Sequence, residues 1–271
     1  MSLTDASYLR FNVSTLPGYR QLRQSGMLDF IAGKEFGHYR GRFKTSLEAR
    51  NSLPVSRRAT YDNEALVSIG VESYSTIHLF DWPVLGFLQK LMSHNQLRVV
   101  TDFGGHIGVK FYAFQGMLDF PKDFRWQVVE VPAMVREGRR RVPPGVNSLA
   151  FFERLEETAP CDVLLCSGSL QYVDSTIEEI IDRLPQRPSM VFVNKVPVSK
   201  ERGFFTVETF VKSLPCHIFG PNELEKARRN LGYKLAANWP IPHRDFVVLS
   251  SKGMEKVQMV GEAWMLEDRL A

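Results

Sequence analysis

Cysteine is scarce in this chain of 271 residues, which carries only Cys161, Cys166 and Cys216. An odd number without paired spacing argues against a disulfide framework and points to a reducing compartment. Cys161 and Cys166 have no histidine nearby to complete a zinc set, so core packing explains them better. No apolar run is long enough to span a bilayer, and Met1-Ser-Leu-Thr-Asp offers neither a basic nor an apolar leader segment. A cytoplasmic protein without stable membrane insertion is expected. Charge of one sign is not in excess either, with a formal net charge of +4 and 24% charged residues. Arg139-Arg140-Arg141 is the one dense basic run and no aromatic-interleaved basic stripe accompanies it. A solvated helix end is the better reading of that run, and no nucleic-acid partner is expected. Internal repeats, low-complexity tracts and His/Asp/Glu clusters with metal-ligand spacing are also lacking, so no metal-dependent mechanism is expected. What is left, with 44% hydrophobic residues, is an ordinary globular chain. Its length suits one large α/β domain or a domain with an appendage.

The most informative stretch is Arg98-Val-Val-Thr-Asp-Phe-Gly-Gly-His-Ile-Gly and the apolar Val109-Lys-Phe-Tyr-Ala-Phe that follows. A β-branched run ends in Asp102, three glycines (Gly104, Gly105, Gly108) fall within five positions, and a helical pattern begins. Strand, glycine turn and helix in that order let backbone N–H groups face a ligand, because a side chain would block approach or forbid positive φ. The dinucleotide fingerprint G-x-G-x-x-G separates its first two glycines by one residue, whereas Gly104 and Gly105 are adjacent. A carboxylate at Asp102 would repel a pyrophosphate and suit a cationic amino group, which favours an aminoacyl ligand over NAD. A plain Gly-Gly turn is the bland alternative.

Residues 1–94 read as a helical or irregular segment that could cap the acceptor. Phe36-Gly-His-Tyr-Arg-Gly-Arg-Phe reads as a loop, either over a pocket for an anionic or sugar ligand or simply on the surface. Asn63-Glu64 leads into a helix bearing Leu66 and Ile69, and Trp82-Pro83 opens another whose buried face is Leu85, Leu88 and Met92. Residues 95–271 alternate strand and helix, which predicts a Rossmann-like α/β fold, a mostly parallel sheet with helices on both faces. The strands are expected at 98–102, Trp126–Glu130, Ser148–Phe152, Asp162–Cys166, Ser189–Asn194, Tyr233–Trp239 and Phe246–Ser250. Helices are expected over Ala133–Arg139 and Glu223–Leu231, and after a cap at Asp174-Ser175 with Ile177, Ile180, Ile181 and Leu184 on one face.

Ligands of open parallel sheets bind beyond the carboxyl ends of the strands, where strand order reverses. Three strand ends converge there: Asp102 to Gly108, Glu130, and Cys166 to Tyr172. Glu130 lies 22 positions after Gly108, close to the offset at which an acidic residue accepts from ribose hydroxyls.

Val99-Val-Thr-Asp-Phe-Gly-Gly-His-Ile-Gly resembles motif I of class I S-adenosylmethionine-dependent methyltransferases. Trp126-Gln-Val-Val-Glu-Val-Pro resembles their second-strand acidic motif, and Asp162-Val-Leu-Leu-Cys-Ser-Gly-Ser-Leu-Gln-Tyr their fourth-strand motif. With Val193-Asn-Lys-Val-Pro, His217-Ile-Phe-Gly and Leu231-Gly-Tyr-Lys-Leu, the set is similar to a methyltransferase family associated with bacterial cell-surface polysaccharide genes. The resemblance covers most of residues 80–250. It implies S-adenosyl-L-methionine as cofactor and a small-molecule or glycan acceptor, with O-methylation of a sugar or surface-glycan precursor as the reaction. It further implies that Phe103, Gly104, Gly105 and Gly108 hold the methionine part, with Asp102 near its amino group. Glu130 would accept from the ribose, Val131 would pack beside the adenine, and Ser167, Gly168, Ser169 and Leu170 would line the sulfonium. No acidic or polar adenine partner stands out around Phe151–Glu153. His106 and Tyr172 are the candidate proton acceptors, each with a bland alternative as loop residue or cofactor cover. Gln171, Asn194 and Lys195 are placed to orient an acceptor, and His38, His217 and His243 lie outside the motifs. Two alternatives stay open: a catalytically silent cofactor-binding partner protein and a nucleotide-dependent oxidoreductase. The sequence carries no reading of oligomeric state.

Overall fold

A computed structural model describes residues 39–55, 58, 62, 75–209, 213–251 and 253–267. Five parallel strands make its centre: β2 (Val99–Phe103), β3 (Arg125–Val129), β4 (Leu149–Phe152), β5 (Val163–Ser167) and β6 (Met190–Val198). Their order in the sheet is β4-β3-β2-β5-β6, the doubly wound arrangement in which order reverses between β2 and β5. Next to β6 lies the long β11 (Gly253–Leu266), which runs antiparallel to it. β9 (Tyr233–Pro240) and β10 (Phe246–Ser250) both pair antiparallel with β11, β9 with its second half and β10 with its first.

The strands alternate cleanly between two cores, as period-two side chains on a doubly covered sheet must. Val163, Leu165, Met190 and Phe192 face α2 (Trp82–Ser93), α3 (Val109–Phe114) and α4 (Pro132–Arg141). Leu164, Cys166, Val191 and Val193 face α5 (Ile177–Asp182) and α6 (Glu223–Asn230). Helices thus cover both faces. Cys161 and Cys166 are buried in the second core, the packing role expected of them. The Asp162 carboxylate braces the sheet by accepting from the backbone N–H of Arg98 (2.7 Å) and Val99 (2.9 Å).

Several expectations are corrected. Tyr39–Phe43, read as part of a loop, is strand β1, parallel to β10 and antiparallel to β7 (Phe204–Glu208). Its partners come from the other half of the chain, which local pattern does not reveal. The cap of α5 is Thr176 and not Asp174-Ser175. Its hydroxyl accepts from Glu179 N (3.2 Å), and the Glu179 carboxylate accepts from Thr176 N (2.8 Å), a reciprocal capping box. Strands β7, β8 (Leu214–Ile218) and β11 were not expected. The order continues β11-β10-β1-β7-β8, with α1 (Ser46–Asn51) following β1. Phe219, just past β8, then bridges back to Val198 at the end of β6. The strands so joined surround a small third core of Phe204, Cys216, Ile218, Val248 and Val257. The helix expected from Asn63 and the loop residues 36–38 lie outside the described residues.

The crossing of β6, β11 and β9 depends on Gly261, where an added Cβ would stand 2.3 Å from the Trp239 indole. A rigid ring in a packed layer cannot yield cheaply. Gly261→Ala is expected to lower stability by about 1–3 kcal/mol, read as a lower urea midpoint at unchanged m-value; an unaltered midpoint would contradict the packing described.

Candidate cofactor and acceptor site

The glycine turn after β2 is built by left-handed backbone at Gly104 (φ 72°), His106 (φ 56°) and Gly108 (φ 83°). His106 is not a glycine, so a bulky side chain holds a conformation that costs roughly 1–2 kcal/mol. Two contacts leave no room for side chains. A Cβ on Gly104 would stand 2.3 Å from the Ser169 Cβ, and one on Gly105 would stand 2.5 Å from the Asp102 carboxylate. The turns following β2 and β5 therefore touch at the point where strand order reverses.

Glu130, just past β3, is tied to the same turn. Its carboxylate accepts from His106 N (3.0 Å) and from Val131 N (2.9 Å). Burial raises its pKa while these two N–H donors oppose the rise. A carboxylate offers about four lone-pair positions, so two acceptor positions are left for hydroxyl donors. Val131 is the residue preceding α4, whose first N–H, that of Ala133 after Pro132, donates to the Asp62 carboxylate (2.9 Å).

Asp102 ends up beneath the turn. It is 1% exposed and accepts from the Trp126 indole N–H (3.1 Å). Burial lifts its pKa to about 7, against the pull of the indole N–H and of the Lys110 ammonium. This carboxyl props Gly105 from below. Phe103, at the end of β2, packs toward the core shared with α5.

At the end of β5, Ser167 Oγ accepts from Asn194 Nδ2 (3.2 Å), and just past it Gly168 N donates to Asn194 O (2.8 Å). The Asn194 side chain also accepts from Trp239 Nε1 (3.2 Å), so this 1% exposed residue knits β5, β6 and β9 together. Leu170 packs into the core. Ser169 Oγ and Gln171 Oε1 are buried without a hydrogen-bond partner, in side chains that are respectively 8% and 6% exposed. Buried polar atoms are nearly always satisfied, and two orphans in one turn mark where a ligand would supply the partners. The Tyr172 hydroxyl donates to Glu208 on β7 (2.5 Å), and its ring packs on the third core. The structure therefore brings Gly104, Gly105, His106, Glu130, Ser169 and Gln171 together, and directs Tyr172 and Asn194 into the framework.

Sequence reading missed an electrostatic layer beside this turn. Lys110, second residue of α3, is 3% exposed and pairs at 2.7 Å with Asp81, itself 1% exposed. Asp81 also accepts from His78 N (2.9 Å). Lys195, at positive φ (55°), lies across Gly168, where an added Cβ would stand 2.9 Å from its Cε. Burial brings the Lys195 ammonium down to about 8; Lys110 and Arg244 push the same way, while Asp81 and Asp102 oppose. A lysine inside the apolar Val-Lys-Phe-Tyr-Ala-Phe was the available clue to Lys110.

No family model matches the sequence, and no curated protein matches it. Among solved structures, the chain is similar to the Burkholderia thailandensis 1,6-didemethyltoxoflavin N1-methyltransferase bound to 1,6-didemethyltoxoflavin and S-adenosylhomocysteine. Identity is 17%, covering 79% of this chain and 94% of that one, with a TM-score of 0.43. A glycopeptide N-methyltransferase with S-adenosyl-L-methionine matches at 11% identity over 62% and 87%, TM-score 0.44. A protein from Pyrococcus horikoshii OT3 matches at 10% over 74% and 98%, TM-score 0.46. Likeness of this degree leaves function to the residues themselves.

The raised Asp102 pKa carries a sign that can be measured. Unfolded, this carboxyl ionises near pH 3.8; folded, near 7. Its contribution is thus full below pH 3.8 and is lost as pH rises through 7. Asp102→Asn keeps an acceptor for the indole and does not ionise. The melting temperature of the variant minus that of wild type should rise between pH 4 and 7; a difference that stays flat would show Asp102 to be ordinarily solvated.

Proposed function

We propose that the protein is an S-adenosyl-L-methionine-dependent methyltransferase acting on a small-molecule acceptor, with a hydroxyl of a sugar or surface-glycan precursor as the preferred class. The observation that carries this reading is the pair of orphaned buried atoms, Ser169 Oγ and Gln171 Oε1, in the turn that touches Gly104. Together with Glu130 they fit the cofactor's chemistry: an acceptor for an ammonium or hydroxyl donor, a hydroxyl for its carboxylate, and a carboxylate for its ribose diol. The glycine turn 104–108 would hold the methionine part, with Asp102 supporting the turn from below. Val131 would pack against the adenine, and Ser167 to Leu170 would line the sulfonium.

The cofactor, when bound, supplies a methyl carbon already activated by the sulfonium. The chain's own part is to align donor and nucleophile and to exclude water. His106, within the turn, is the proton acceptor for a hydroxyl nucleophile. Tyr172 holds the β5 turn against β7 through Glu208. Residues 1–94 supply the acceptor side, a role supported by Phe80 and Asp81 beside Lys110 and by Asp62 at the start of α4. Adjacent Gly104-Gly105 and the antiparallel strand in the sixth sheet position count against the dinucleotide alternative, whose sheet is parallel there.

Calorimetric titration tests this. S-adenosylhomocysteine should bind saturably and NAD should not. Glu130→Gln should weaken that binding about tenfold, as expected for a lost hydrogen bond to a charged group. Binding of NAD in preference, or an unaffected variant, would remove the assignment.

A further inference from the structure

Gly261 sits inside β11, where a strand ordinarily carries a side chain to pack. On one side it pairs with Trp239 of β9. On the other side the register with β6 slips: Val260 pairs with Val196 and Glu262 with Val193, so Asn194 and Lys195 together oppose Gly261. Such a bulge re-aims the side chains it carries and is common beside functional sites. The bare Gly261 also opens a way across the strand, because an added Cβ would stand 2.3 Å from Trp239 Nε1 itself. The indole therefore reaches over β11 and donates to Asn194 Oδ1 on β6 (3.2 Å).

This contact fixes the polarity of the bonds beyond it. An indole N–H can only donate, so the Asn194 oxygen must face Trp239 and its amide nitrogen must face Ser167. Ser167 Oγ accordingly accepts from Asn194 Nδ2 (3.2 Å), its register partner on the neighbouring strand. With one lone pair so engaged, the Ser167 proton points elsewhere, and among the described residues nothing accepts it. Asn194 is 1% exposed, whereas Ser167 is only partly buried. Two residues on, the orphaned Ser169 hydroxyl lies beside Gly104. A directed hydrogen-bond donor thus ends at the turn assigned above to the sulfonium.

We propose that Trp239 and Asn194 are positioning residues for Ser167, whose hydroxyl donates to the nucleophilic atom of the methyl acceptor and thereby selects a hydroxyl oxygen over an amine nitrogen. This rests on the methyltransferase reading. A hydroxyl oxygen has two lone pairs. One accepts from Ser167, which orients the nucleophile. The other forms the O–C bond as the C–S bond breaks, its electron pair staying on sulfur, and the hydroxyl proton passes to His106. A neutral amine has a single lone pair. When that pair attacks the methyl carbon, the Ser167 proton has no acceptor, and a donor left unpaired away from water opposes the reaction.

Amino sugars carry both nucleophiles in one molecule, so the choice can be measured. D-Glucosamine, D-galactosamine, D-glucose and D-galactose are each incubated with the full chain and methyl-labelled S-adenosyl-L-methionine, at a pH where the amines are neutral. The label should enter oxygen and not nitrogen, as read by NMR of the products. Ser167→Ala should lower kcat/KM for oxygen transfer about tenfold, the size of one such hydrogen bond, and raise the N-methyl share. Ser167→Thr restores a hydroxyl and should recover both. Trp239→Phe keeps an aromatic ring and loses the N–H; it should move the product ratio the same way, and the double variant should be no worse than Ser167→Ala alone. A merely structural role would leave that ratio unmoved. N-methyl product from the wild type, a ratio indifferent to Ser167→Ala, additive losses in the double variant, or no label in any probe although S-adenosylhomocysteine binds would overturn the proposal. Failure of S-adenosylhomocysteine to bind would instead remove the methyltransferase reading, and the proposal with it.

Discussion

The close approach of two turns governs this molecule. Gly104 and Ser169 touch where the sheet reverses its order, and no side chain fits at either Gly104 or Gly105. That contact brings the end of β2 and the end of β5 into one surface, and the other parts of the site are fastened to it. Glu130 reaches the turn through the His106 N–H, and Asp102 supports it from beneath through Gly105. Gly168 and Lys195 extend it towards β6. Because each fastening uses backbone groups or glycines, the geometry is set by the fold more than by adjustable side chains.

Electrostatics supply the second layer. Burying Lys110 and Asp81 together is costly unless they pair, and removing either partner from such a pair costs about 3–5 kcal/mol. The pair joins α3 to the turn before α2 and fixes Phe80 in place. Lys195 and Arg244 lie over the same ring, at 5.2 and 5.6 Å from its centroid. Asp102 answers the same field from within, with burial favouring its neutral form. The charged layer thus meets the turn after β5 at Gly168, on which Lys195 lies.

Much of the central sheet was legible because its cause is local. Val99-Val100-Thr101 and Val163 to Cys166 are continuous apolar or β-branched runs, which strands buried on both faces require, and the glycines mark the turn between strand and helix. β1, with the sequence Tyr-Arg-Gly-Arg-Phe, carries no such run and becomes a strand only because β7 and β10 flank it. β11 hid its strand character behind Gly253, Gly261 and scattered charges for the same reason. Glu130 and the glycines were found by spacing along the chain. Lys110 with Asp81, and Arg244 with Phe80, were not, because their proximity is made by tertiary packing and neither partner belongs to a sequence motif.

The measurement that bears most directly on the central claim is hydrogen–deuterium exchange with and without S-adenosylhomocysteine. Ligand held between the turns of β2 and β5 should slow exchange at residues 104–108, 130–131 and 167–171 together, and leave β7 and β8 largely unchanged. Protection confined to other segments, or none at saturating ligand, would contradict the placement of the cofactor at this contact.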